Sequence, residues 1–304
     1  MPPHEIRHVV PFAVCGMMVP VAPEVRSIMR TVTARDASIP VLGFGTWQIH
    51  GKAAQDAVAY ALAEGYRHVD TAQDYDNEES VGAGLRDATV GRDEVFLTTK
   101  VRPDRFRPGD LRASVTESLR KLDTDYVDLL LLHWPVPEVP LPDTLGALAE
   151  VVEAGQARHA GVSNFPSALL AEADNLSATP LVTDQVEYHP YLPQTTLLRA
   201  VRERGMALTA YSPLARGELQ DDPVLTEIAA DHDATIGQIA LAWLLHQDSV
   251  VAIPKSATRQ RISENLASQR VTLNEEEMTR IHSLARPDNA GRLLTDDAVT
   301  WDVD

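Results

Sequence analysis

Cysteine is all but absent. Cys15 stands alone, which excludes an intrachain disulfide and a metal cluster built on thiolates. Long apolar runs are missing too. None approaches the ~20 residues of a membrane-spanning helix, so no membrane partner is expected and a cytoplasmic location is. Lysine is confined to Lys52, Lys100, Lys121 and Lys255, and arginine supplies nearly all the positive charge. Against these stand 44 acidic residues, for a formal net charge of −17. Such a surface repels phosphate backbones, which argues against a nucleic-acid partner. Two readings fit the composition. GC-rich codon usage favours arginine without any physics. Adaptation to high salt, where dense carboxylates hold water and their repulsion is screened, also accounts for the excess aspartate and is preferred.

Motifs of several enzyme classes are also missing. The histidines, among them His68, His133, His159 and His189, show no metal-ligand spacing, so no metal is expected. GVSNF (161–165) lacks the second glycine of a serine nucleophile elbow. GFGTWQ (43–48) and GAGLRD (82–87) both fail the dinucleotide glycine fingerprint. The opening stretch HVVPFAVCGMMVPVAP is faintly signal-like, but Pro11 and Pro20 interrupt it and little basic charge precedes it. Residues 1–37 are therefore expected to be a loosely ordered arm, or the product of a misplaced start with translation from Met18 or Met29.

From residue 38 the chain alternates strand and helix patterns. Strands are expected at 41–47, 67–72, 94–101, 126–134, 158–165, 183–188, 207–214 and 250–256. Helices are expected between them, as at 52–65, 110–122 and 144–155. The strands recur every ~25–35 residues, the size of a β/α unit. Eight such units predict an α/β fold of one closed (β/α)₈ barrel over residues 38–304.

In such a barrel chemistry collects at the C-terminal strand ends. There the sequence places Trp47, Asp70 with Tyr75, Lys100, His133 with Trp134, Ser163-Asn164, Gln185, Tyr211-Ser212 and Lys255-Ser256. Each has an ordinary explanation alone. Asp70 could cap a helix, Lys100 could be solvated, His133 could be a satisfied core histidine, and Tyr75 could pack over the barrel. Together, at the ends of three successive strands, they form a chemical set. A buried ammonium beside a tyrosine favours the phenolate and is expected to lower the phenol's pKa. Asp70 would keep Lys100 charged, Tyr75 could protonate a developing alkoxide, and neutral His133 could orient the carbonyl. That apparatus reduces a carbonyl and needs a hydride donor. A hydrolase using Asp70 and Asp74 is the rival, but it leaves the polar segment IPKSATRQRISEN unexplained.

GYRHVDTAQDYDNEESVG, DYVDLLLLHWP, GVSNF, DQVEYHP, AYSPLARG and IPKSATRQRISEN occur in that order. In these six segments the chain resembles the aldo-keto reductases from about residue 38 onward. The brief connection after Pro135 and the tail GRLLTDDAVTWD are similar to the short bacterial members of the 2,5-diketo-D-gluconate reductase and methylglyoxal reductase type. The resemblance implies a short N-terminal hairpin closing the barrel bottom. It implies Tyr75 as general acid, Lys100 to tune it, Asp70 to pair with Lys100, and His133 to orient the substrate. It implies that Ser163, Asn164 and Gln185 hold a nicotinamide carboxamide, that Tyr211 stacks on its ring, and that Ser212 and Leu214 meet a pyrophosphate. Lys255, Ser256 and Arg261 would grip a 2′-phosphate, with Glu264 and Asn265 at the adenine, which favours NADPH. Trp47 and Trp134 are expected as pocket walls, and Arg292 and Trp301 could reach over the mouth. Asp74, Asp76, Glu78 and Glu79 read as loop and helix-start residues. The partner expected is a small carbonyl compound and the chain is expected to be monomeric. Because potassium-channel beta subunits resemble the same family, a non-catalytic NADPH-binding role is the alternative.

Overall fold

The computed structural model describes residues 29–296 and 299–304. The signal-like stretch and Cys15 lie outside the described residues. Eight parallel strands form one sheet: β3 (Phe44–Gly45), β4 (His68–Asp70), β5 (Phe96–Val101), β6 (Val127–Leu132), β7 (Ala157–Ser163), β8 (Leu181–Glu187), β9 (Ala207–Tyr211) and β10 (Val250–Ala252). Each pairs with the next in chain order. Parallel bridges Leu42–Ala252 and Gly45–Lys255 join the last strand to the first. Gly43 N donates to Ala252 O at 2.8 Å and Gly45 N to Pro254 O at 3.0 Å. The sheet is therefore a closed barrel, as the sequence predicts.

The strands are shorter than the apolar patterns imply, and the reasons are local. Pro254 has no N–H to continue a ladder after β10. Ser212 takes φ 48° directly after β9, which ends the extended run. His133 and Trp134 fall beyond β6, so they belong to a loop.

Helices α1 (Gly51–Glu64), α2 (Glu78–Asp87), α3 (Pro108–Leu122), α4 (Leu141–Glu153), α5 (Ser167–Leu176) and α6 (Thr195–Glu203) follow strands β3 to β8 in turn. After β9 come α7 (Pro223–Asp231) and α8 (Ile236–Leu245), and after β10 come α9 (Arg259–Ala267) and α10 (Glu275–His282). α3 starts at Pro108, ahead of the expected residue 110, because proline suits the first helical turn. Asp222 caps α7 by accepting from Val224 N and Leu225 N, each at 3.0 Å.

A hairpin of β1 (Thr31–Ala34) and β2 (Ala37–Pro40) covers the bottom. Its buried Ala34, Ala37 and Ile39 pack on Leu129, Leu131, Val182, Ala207 and Val251. Arg35 anchors the turn to Asp174, with Nη2 at 2.7 Å from Oδ1. The hairpin thus closes the bottom with apolar side chains.

Candidate active site

Asp70 ends β4, and the chain then turns through a single 3₁₀ turn, Gln73–Tyr75. Buried Asn77 ties that turn down: it accepts from Thr71 Oγ1 at 2.8 Å and donates to Thr46 O at 2.8 Å and Ile49 O at 2.9 Å. Sequence reasoning passed over Asn77, whose only signal is its place between the loop acids and the start of α2.

Lys100, on β5, is fully buried. Its Nζ donates to Asp70 Oδ1 at 2.5 Å, to Thr71 O at 2.8 Å and to the Tyr75 hydroxyl at 3.2 Å. All three ammonium donors are therefore used, which is what a buried cation requires. Asp70 Oδ2 accepts from Gln185 Nε2 at 2.8 Å. Burial pushes the Lys100 pKa down, and Asp70 opposes that shift.

The expected lowering of the Tyr75 phenol is reversed in this structure. Burial, then the Asp70 and Asp74 carboxylates, push its pKa well above the ordinary value. The Lys100 charge is largely spent on Asp70, and the phenolate would be desolvated beside two anions. Burial and both carboxylates thus favour the neutral phenol.

His133 follows β6. Its N–H donates to Val101 O at 3.1 Å and its carbonyl accepts from Asn164 Nδ2 at 2.9 Å. Its ring stands edge-on to Tyr75, with centroids 5.7 Å apart. Burial lowers its pKa, and Lys100 adds to that, against the pull of Asp74. Asp74, read from sequence as a loop acid, lies with Oδ2 3.0 Å from His133 Nδ1.

The residues expected at the carboxamide form one chain of bonds. Tyr211 OH donates to Asn164 Oδ1 at 2.8 Å, Asn164 Nδ2 to Ser163 Oγ at 3.0 Å, and Ser163 Oγ to Gln185 O at 2.7 Å. Gln185 completes the path to Asp70. These side chains line a cavity of about 570 Å³ together with Tyr75, His133, Trp47, Trp134, Ser212, Leu214 and Lys255. After β9 the loop is tightly coiled, with Ser212, Ala215 and Arg216 all at φ between 45° and 50°. Arg216 stacks 4.6 Å over the Trp47 ring.

Ser256, Arg261, Glu264 and Asn265 do not line that cavity. Ser256 turns to Thr258, accepting from its N–H at 3.1 Å. The other three sit on α9, with Arg261 exposed and Asn265 buried. Across the mouth, Trp301 meets Trp134 edge-on at 6.1 Å and Arg292 stacks 3.7 Å over Trp301. Glu187 holds this tail by accepting from Leu293 N at 2.9 Å and Leu294 N at 3.0 Å, and Leu294 joins the cavity wall.

A model of the aldo/keto reductase family matches residues 41–286. Methylglyoxal reductase DkgB of Yersinia pestis is 37% identical over 270 residues, spanning 87% of this chain and all of that protein. An aldo-keto reductase of Mycobacterium sp. (strain JLS) is 40% identical over 261 residues, spanning 85% of this chain and 93% of its own. Among solved structures, a protein described as a 2,5-diketo-D-gluconic acid reductase B is 47% identical with a TM-score of 0.88, covering 91% of this chain and 99% of that one.

Proposed function

This chain belongs to the aldo/keto reductase family, and from that premise we propose that it reduces small aldehydes, ketoaldehydes or keto sugars with NADPH, using Tyr75 as the general acid. The observation that carries this reading is the buried Asp70–Lys100–Tyr75 unit opening into a cavity beside His133. A protonated phenol at the floor of that cavity can deliver a proton to a carbonyl oxygen.

The residues fit a nicotinamide dinucleotide. Asn164 and Gln185 present amide groups at the cavity wall, and Tyr211 offers a ring face beside them. The first turn of α9, whose N–H groups have no earlier helical carbonyl to bond, suits phosphate. Lys255 and Arg261 make no ion pair among the described residues, so both charges are free for an anion. That supports a 2′-phosphate and hence NADPH over NADH. A bound reduced nicotinamide would supply the hydride. Tyr75 then protonates the oxygen, Lys100 holds the phenol in place, and Trp47 and Trp134 exclude water from the reacting carbonyl. The homologues named for methylglyoxal and for 2,5-diketo-D-gluconic acid support that substrate range.

The test follows NADPH absorbance with methylglyoxal for the wild type and for Tyr75→Phe. Oxidation that falls by roughly 10²–10⁴-fold in the variant is expected. Protein that binds NADPH yet oxidises none with a panel of aldehydes and keto sugars would overturn the catalytic reading in favour of a binding role.

A further inference from the structure

Asp74 has no part in the scheme so far, yet its carboxylate lies in direct contact with His133. It sits one residue before Tyr75, so the 3₁₀ turn that places the acid also places this carboxylate. Its Oδ2 is 3.0 Å from His133 Nδ1, while its Oδ1 is 3.3 Å from Arg102 Nε. Arg102 is itself held by Asp104, at 2.7 Å, and by its own N–H to Gln73 Oε1 at 3.1 Å. The Nδ1–Oδ2 separation is within hydrogen-bond reach.

The chemistry of this contact is restrictive. A histidine that polarises a carbonyl must present Nε2–H to the oxygen. A neutral ring with its proton on Nε2 turns an Nδ1 lone pair toward the Asp74 anion, which is repulsive. A neutral ring with its proton on Nδ1 satisfies Asp74 but turns a bare Nε2 toward the substrate oxygen. Only a ring carrying both protons satisfies both sides.

We propose that Asp74 is a positioning residue that holds the Nδ1 proton of a doubly protonated His133, so that Nε2–H meets the carbonyl oxygen during reduction. This rests on the carbonyl-reductase reading. As the carbonyl carbon takes up hydride, the oxygen receives the Tyr75 proton, and His133 keeps both of its own and gives only a hydrogen bond. The charged and titratable surroundings of His133 are Asp74 and the Tyr75 phenol from the turn after β4, Asp70 on β4 and Lys100 on β5, with Arg102 behind Asp74. Lys100 and burial oppose the second proton and Asp74 favours it. The protonated fraction therefore grows as pH falls below the ordinary histidine range.

The experiment compares wild type with Asp74→Asn on two readouts. The first is kcat/KM for methylglyoxal from about pH 8 to about pH 5. Wild type is expected to gain as pH falls, approaching tenfold per unit above the His133 titration. Asp74→Asn is expected to lose that limb, because its amide can donate to Nδ1 and fix the neutral Nε2–H form, and to be about tenfold slower at the acid end. The second readout is the His133 imidazole resonance, assigned with His133→Asn, which is expected to titrate at lower pH in Asp74→Asn. An unchanged acid limb, or His133 titrating alike in both proteins, overturns the proposal. A shifted His133 titration without turnover of any carbonyl supports the hold of Asp74 on His133 and overturns the reductase reading instead.

Discussion

At the scale of single residues, Lys100 shows what a buried charge demands. Its ammonium is shut off from solvent and is matched by a carboxylate, a carbonyl and a phenol. Removing one partner of such a set leaves the other charge stranded. The grouping of Asp70, Lys100 and His133 was legible in the sequence because each is polar at or just past the end of an apolar strand, and Tyr75 because it follows Asp70 by five residues. Asp74 was not legible. An acid among Asp76, Glu78 and Glu79 looks like a solvated loop, and only the 3₁₀ turn aims it at His133. Glu78 was half legible: it opens α2 as expected, but it is buried and accepts from Thr99 Oγ1 at 2.7 Å. Arg292 offers a residue-scale prediction. Its Nε and Nη1 are buried without partners among the described residues, and its stacking partner Trp301 touches the pocket wall Trp134. Arg292→Ala is expected to raise KM for a carboxylate-bearing substrate by about tenfold, as for loss of a charged hydrogen bond, and to leave KM for a neutral aldehyde unchanged. Parallel Michaelis curves for the two substrates check it, and an equal effect on both would refute it.

At the scale of elements, α2 meets its neighbours through two glycines. A Cβ on Gly82 would lie 2.6 Å from Leu122 O at the end of α3, and one on Gly84 would lie 2.7 Å from Gln55 O in α1. Glycine normally weakens a helix by about 0.5–1 kcal/mol, so these two trade propensity for close approach to backbone. Gly146 in α4 has open space around it. Gly82→Ala is expected to destabilise by about 1–3 kcal/mol, and Gly146→Ala to stabilise by about 0.5–1 kcal/mol. Urea midpoints at unchanged slope would show the opposite signs. Matching signs would mean that the α1–α2–α3 contact is looser than the distances say. The element order was readable from periodicity, whereas strand ends were not. Apolar patterns run past the points where the turn at Ser212 and the missing N–H of Pro254 end the strands, since backbone dihedrals leave little trace in hydropathy.

At the scale of the whole molecule, the chain is strongly acidic. Only Leu176 and Val303 stand out as exposed large hydrophobics among the described residues. A monomer is the expected state, and elution at the mass of one chain would check it. If the charge of −17 reflects adaptation to salt, its self-repulsion should cost stability at low ionic strength. The thermal midpoint is then expected to rise from low to molar potassium chloride, and a flat or falling midpoint would favour codon usage as the source of the composition. The closed barrel itself was legible from eight repeats of strand and helix, because ring closure follows from repeat number and length rather than from any one residue.

The seam of that ring also has a kinetic meaning. Gly43 and Gly45 bond to Ala252 and Pro254, so the last ladder to zip joins parts of the chain more than two hundred positions apart. Closing so long a loop is entropically the most demanding step of assembly and is expected to come late. Lys255 stands on one lip of the seam, bridged to Gly45 on the other. A dinucleotide gripping both lips would bind the zipped ring and not the open one, and by mass action would act as a hoop that keeps the newly folded barrel from springing apart.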